Sequence, residues 1–115
     1  MTGGWIAGLA LFISFGAAAQ APAGDAVRGK KAYLDNICHS CHGTAGQGGE
    51  RGSGPRIAPD PFAWEAFAMA IRRPRAVMPR YPVEHLSDQA LADIYAYLAS
   101  IKAGTPAKDI PLLKD

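Results

Sequence analysis

Six of the twelve residues from Gly43 to Gly54 are glycine, and none of the others is an aliphatic residue larger than alanine. Glycine loses more backbone freedom on folding than any other residue, so a regular helix or strand across this stretch is strongly disfavoured. A long loop therefore interrupts the middle of the chain. No strand pattern precedes the glycines and no Gly-Lys-Ser/Thr run closes them, which removes a phosphate-cradling loop from consideration.

The sequence on either side of that loop is helical in pattern. Asp25 stands where it can cap a helix running to about Asn36, with Val27, Tyr33, Leu34 and Ile37 recurring near a 3.6-residue period, and Gln20–Gly24 before it reads as a linker. Asp60-Pro61 opens a second helix, since proline suits the first helical position. Its Phe62, Trp64, Phe67, Met69, Ala70 and Ile71 supply more than one apolar face before Pro74 stops it. Arg75–Pro82 contains two prolines, each biasing the residue before it toward an extended backbone, so Met78 and Tyr81 fall on a loop. Ser87 caps a third helix from Asp88 to about Ile101, with Leu91, Ile94, Tyr95 and Leu98 on one stripe and Gly104 as a stop. No segment alternates with period two and no repeat occurs, so the expected architecture is all-α: three main helices joined by long loops. Three short helices bury little apolar surface among themselves. Something other than protein should fill the middle.

Charge divides the chain. Met1–Gly24 holds no charged residue, whereas all 12 Lys and Arg and all 10 Asp and Glu follow it. Within the uncharged part, the apolar run Trp5–Phe15 followed by Gly16-Ala17-Ala18-Ala19 has the form of a secretory signal with an A-x-A cleavage site. The expectation is a signal peptide over residues 1–19, cut between Ala19 and Gln20, and one exported domain over residues 20–115. Met1–Gly4 lacks Lys and Arg, which leaves an uncleaved membrane anchor as the alternative, although Trp5–Ala19 is shorter than the roughly 20 residues a spanning helix needs. A net charge of +2 without a block of like charges argues against nucleic acid as a partner.

Both cysteines lie in the run Cys38-His39-Ser40-Cys41-His42. A C-x-x-C-H run is the attachment signature of a c-type haem. One helical turn sets Cys38 and Cys41 on the same side, where their thiols can add to the two vinyl groups of a porphyrin, and His42 offers its imidazole to the iron from the same surface. Two other readings compete. A redox-active disulfide of the thioredoxin type requires a βαβ pattern that this sequence lacks. A zinc site from Cys38, Cys41, His42 and His85 lacks the usual spacing between ligand pairs, because His42 directly follows Cys41.

Gly29, Tyr33, the Cys38–His42 run, Gly54-Pro55, Met78-Pro79 and Ile94-Tyr95-Ala96-Tyr97-Leu98 together resemble the class I c-type cytochromes, monohaem proteins with His/Met ligation. The resemblance covers nearly all of residues 20–115. It implies a cytochrome c-like fold around one covalently attached haem, with the first and last helices crossing where Gly29 permits close approach and Tyr33 packing near Ile94 and Tyr97. It also implies that the Pro55 carbonyl accepts a hydrogen bond from His42, which would control ligand orientation and basicity.

Candidates for the second axial ligand are Met69, Met78, His39 and His85. Met69 lies in an apolar helix and reads as a flexible core filler. His39 points away from the face His42 must occupy, and His85 reads as a surface residue beside the Ser87 cap. Met78 is the best placed, on a proline-fixed loop far enough beyond His42 for the chain to round the porphyrin edge. Trp64 and Tyr81 are candidates for hydrogen bonds to a propionate or for plain core. Arg72, Arg73, Arg75 and Arg80 could form a positive rim for an acidic partner or pair with propionates. His/Met ligation favours electron transfer over catalysis, so the expected protein is a non-enzymatic periplasmic one-electron carrier. A dedicated haem subunit of a periplasmic dehydrogenase complex is the alternative. Partners are then redox proteins, such as a dehydrogenase or a terminal oxidase or reductase.

Overall fold

A computed structural model describes residues 20–113, so the expected signal segment and its cleavage site lie outside the described residues. Four α-helices follow one another: α1 (Ala26–Asp35), α2 (His39–His42), α3 (Trp64–Arg72) and α4 (Asp88–Ser100). Three short 3-10 turns accompany them, and no strand occurs among the described residues. The fold is the all-α cytochrome c fold.

The termini of the helices follow from local chemistry. Asp25 caps α1 by accepting from the Arg28 amide at 2.8 Å, and Ser87 Oγ caps α4 by accepting from the Ala90 amide at 3.1 Å. The second long helix begins at Trp64, three residues beyond Pro61. Asp60 has φ 60, outside the extended region that a capping residue needs, so Asp60-Pro61 forms a turn instead of a helix start. At its far end α4 stops at Ser100, well before Gly104. Ile101 turns extended and packs its side chain on the core.

The central packing event is the crossing of α1 and α4. A β-carbon on Gly29 would overlap the backbone carbonyl of Asp93 and lie 2.9 Å from Tyr97 Cβ, so only glycine lets the helices meet this closely. Tyr33, one turn along, is buried against Tyr97 with ring centroids 5.6 Å apart, in a cluster with Leu91, Ile94 and Leu98. The apolar stripe expected for α1 is therefore displaced. Val27 is 82% exposed and Leu34 and Ile37 also face outward, because the true contact face is centred on a residue with no side chain to register in a hydrophobic pattern. Residues 23–25 are not a free linker either. Gln89 Nε2 donates to the Ala23 carbonyl at 3.0 Å, and Gly24 packs against the carbonyl of Ala92.

Asp93 is buried in this crossing, only 4% exposed, amid an otherwise apolar stretch of α4. Its carboxylate accepts from the Asp25 amide (2.8 Å), Arg28 Nε (2.9 Å), Arg28 Nη2 (3.1 Å) and Gln89 Nε2 (3.0 Å). These donors, Arg28 foremost, hold the Asp93 carboxyl down at about 2. A carboxyl depressed in the folded state stabilises the fold above its unfolded value near 3.8, and that contribution is lost as the pH falls toward 2. Thermal unfolding followed from pH 5 to pH 2 should show a steep acid limb in the wild type. Asp93→Asn should melt lower at pH 5 and show a flatter limb; parallel limbs in the two proteins would disprove the linkage.

Candidate haem-binding site

The four-residue helix α2 carries most of the Cys38–His42 run and enters it directly from α1, with the His42 amide bonded to the Cys38 carbonyl at 3.0 Å. One turn of helix thus presents Cys38 and Cys41 together and buries His42 beside them. Cys38 is half-buried and Cys41 exposed. Burial pushes the Cys38 thiol up to about 11, the opposite of the lowered value that a thioredoxin-type nucleophile requires.

The glycine-rich loop folds back over this helix. Tyr33 and Tyr97 donate their hydroxyls to the carbonyls of Gly43 (2.6 Å) and Thr44 (2.8 Å), fixing the start of the loop to the α1–α4 crossing. Further on, Ser53 Oγ donates to the Cys41 carbonyl at 3.3 Å and the Gly48 amide to the His42 carbonyl at 2.8 Å. A β-carbon on Gly54 would lie 2.5 Å from the Cys41 oxygen and 3.0 Å from His42 Nδ1. Glycine here lets the loop descend until the Pro55 carbonyl sits 2.8 Å from His42 Nδ1. A carbonyl can only accept, so Nδ1 carries the proton and Nε2 keeps its lone pair.

Two adjacent hollows lie beside His42. An inner cavity of about 130 Å³ is walled by aliphatic and aromatic side chains from every long helix, among them Tyr33, Phe67, Ile71, Ile94 and Leu98. An outer cleft of about 550 Å³ is bordered by Cys38, Cys41, His42, Pro55 and the Arg75–Pro79 loop. Cys38, His42, Pro55, Met78 and Tyr81 border both. Their volume is in the range of cofactor sites, and their apolar walls suit a flat macrocycle with an apolar body. One face of α3 serves this hollow as well as the protein core: Phe67, Ala70 and Ile71 line it, with Phe62 just before the helix, and of these only Phe67 is buried.

Of the four axial candidates, Met78 alone borders the hollows. Met69 is 58% exposed on the outer face of α3 and is not the core filler its sequence context suggests. His85 is exposed beside the Tyr81 ring, and His39 borders neither hollow. Of the two aromatic candidates for propionate contacts, Tyr81 donates its hydroxyl to the Asn36 carbonyl at 2.8 Å, and Trp64 packs against the core, edge-on to Tyr95 at 5.5 Å, and borders neither hollow. Arg72 also leaves the expected basic rim, since its guanidinium binds the carbonyls of Tyr81 and Leu86 and the carboxylate of Asp88. Arg73, Arg75 and Arg80 remain exposed.

Residues 24–98 match the family model described as "Cytochrome C oxidase, cbb3-type, subunit III". The chain belongs to this family of c-type cytochromes. No curated protein and no solved structure gave a match. The matched span holds all four helices except the last residues of α4, together with both hollows, so the region that folds the cytochrome is the region that carries its site. Membership gives the cytochrome a haem c and a role in haem-based electron transfer. Sequence reasoning did not find Asp93, the carbonyl contacts of Arg72 or the hydroxyl contacts of Tyr33 and Tyr97. A lone carboxylate within the apolar run Leu91-Ala92-Asp93-Ile94 was the one available signal.

A methyl group at position 54 should force the Pro55 carbonyl away from His42 Nδ1. The imidazole then loses electron density, and as a ligand of the haem iron, the role expected for His42, it would disfavour the ferric state. Spectroelectrochemical titration of Gly54→Ala should accordingly give a higher midpoint potential than the wild type, and an unchanged or lower potential would count against this role for the Pro55 contact.

Proposed function

We propose that the cytochrome is an exported one-electron carrier holding a single haem c, bound by thioethers to Cys38 and Cys41, with His42 and Met78 as the axial ligands. The observation that carries this reading is the shared outer cleft, which is bordered at once by both cysteines, by His42 with its Nδ1 already committed to Pro55, and by Met78. When bound, the haem supplies a one-electron couple between Fe(II) and Fe(III).

The chain's residues supply the rest. His42 offers Nε2 as a donor whose orientation and basicity the Pro55 carbonyl sets. The Met78 thioether favours the ferrous state relative to a second imidazole and so raises the potential. Inner-cavity side chains keep water from the ligands, and the hydroxyls of Tyr33 and Tyr81 are bonded to backbone carbonyls. His42 and Met78 would together hold the iron, and a haem so held would supply one-electron transfer in preference to oxygen or peroxide chemistry.

Export rests on residues 1–19 as a cleaved signal peptide, with residues 20–115 as the working domain. Among the described residues, no helix is long and apolar enough to cross a membrane. The second reading is a dedicated cytochrome subunit of a periplasmic dehydrogenase complex; the family description supports a subunit role in that it names a subunit, but the assembly it names is an oxidase, which favours a terminal oxidase as the partner. Gel filtration of protein from its native host separates the two readings: a carrier elutes as a small species and a subunit with its catalytic partner.

Denaturing electrophoresis should leave haem stain on the polypeptide, and loss of that stain would refute covalent attachment. The oxidised protein should show the weak near-infrared absorption of sulfur-to-iron ligation. Met78→Ala should abolish this band and lower the potential, while Met69→Leu should leave both unchanged. A Met78→Ala protein with the wild-type spectrum would move the ligand elsewhere.

Arg75, which borders the outer cleft, and Arg80 are exposed and suit an acidic partner docking over the site. Electron transfer with such a partner should slow markedly as the Debye length falls from about 30 Å at 0.01 M salt to about 10 Å at 0.1 M. Arg75→Gln or Arg80→Gln should slow it further with little change in potential. A salt-independent rate with a large potential shift in these variants would assign the arginines to the propionates instead.

A further inference from the structure

The loop that bears Met78 is held almost entirely from its far end. Between Arg75 and Arg80, no hydrogen bond among the described residues ties the backbone to another element. Val77 is almost fully exposed, and Ala76 has φ 56, a conformation that a non-glycine residue keeps only when its surroundings impose it. At Tyr81 the situation reverses. Its amide donates to the Ile71 carbonyl at 3.2 Å, its hydroxyl reaches the Asn36 carbonyl, and its own carbonyl accepts from Arg72 Nη1 at 2.8 Å. The same Nη1 donates to the Leu86 carbonyl at 2.7 Å, and Nη2 donates to Asp88 Oδ1 at 2.7 Å. The Arg72 side chain is only 21% exposed, in contrast to the freely solvated Arg75 and Arg80.

We propose that Arg72 is the positioning residue for Met78: its guanidinium latches the end of the ligand loop to α3 and to the first turn of α4, and thereby holds the thioether over the cleft. The inference rests on the Met78 reading above. A planar guanidinium can serve three acceptors in fixed directions, whereas a lysine ammonium on a flexible stem reproduces the charge without the fork. Both carbonyl bonds are charge-assisted and shielded from water, while the Asp88 leg is exposed and contributes less. With the latch intact, the short path from Met78 to Tyr81 restricts where the sulfur can go. Without it, Tyr81 keeps its amide bond to Ile71 and its hydroxyl bond to Asn36, but its carbonyl is no longer tied to the Leu86 carbonyl and the start of α4 through a common donor.

The test compares ferric wild type, Arg72→Gln, Arg72→Lys and Asp88→Asn by the near-infrared sulfur-to-iron band and by imidazole titration, with circular dichroism confirming that the helices persist. Imidazole should bind Arg72→Gln about tenfold more tightly than wild type, with Arg72→Lys between them and Asp88→Asn within about twofold of wild type, following the strength of the bonds removed. The band should weaken in the same order. Variants that only melt earlier, with unchanged band and imidazole affinity, would overturn the proposal and leave Arg72 a purely structural residue. If the arginine variants do not mature, hydrogen exchange on the wild type decides. Displacing Met78 with excess imidazole should leave the Tyr81 and Leu86 amides protected; loss of protection through residues 81–86 would refute the latch. A wild-type protein with no near-infrared band refutes the Met78 reading itself, an outcome distinct from failure of the latch.

Discussion

The structure depends on two backbones coming closer than side chains normally allow. At the α1–α4 crossing Gly29 contributes nothing but a hydrogen, and the Asp93 carbonyl occupies the space that any other residue would fill. That contact aligns Tyr33 with Tyr97, and their hydroxyls pin Gly43 and Thr44, the first residues of the glycine-rich loop. From there the loop is led back to Gly54 and Pro55, and so to His42. The orientation of one imidazole is thus traceable, contact by contact, to a missing β-carbon on the preceding helix.

The crossing also explains why a carboxylate is tolerated in the interior. Asp93 ties three things that apolar packing alone would leave loose: the amide of Asp25, the side chain of Arg28 and, through Gln89, the segment before α1. A buried charge is costly unless its oxygens are fully used, and four donors use them here. Arg72 plays the corresponding part at the other end of the molecule, where three oxygen acceptors converge on one guanidinium. The Arg28–Asp93 pair secures the helices that form the back of the site, and the carbonyl bonds of Arg72 secure the end of the loop that forms its front.

Much of this was legible in the sequence. The Cys38–His42 run specified the cofactor, the caps at Asp25 and Ser87 set two helix starts, and the glycine-rich stretch marked the loop between them. What escaped has a common cause: hydrophobic patterns report which residues avoid water, not what they avoid it against. Phe62 and Met69 look like core residues of one helix, yet Phe62 lies before α3 and faces the hollow, and Met69 faces solvent. Val27 looks like a contact residue of α1, yet the contact is made by Gly29. Interactions with backbone carbonyls, such as those of Arg72 and Tyr81, leave no trace in residue spacing, because an acceptor on the main chain carries no residue identity.

The walls of the inner cavity are aliphatic and aromatic, and the hydroxyls that approach it are already bonded to main-chain carbonyls. Little there can reorient when a charge arrives or departs. In water, much of the barrier to moving one electron is the work of rearranging solvent dipoles around the new charge; a site whose dipoles are few and already fixed largely avoids that work. Exchange in such a site stays fast even when donor and acceptor differ little in potential, so electrons can move in either direction with little energy dissipated in each transfer.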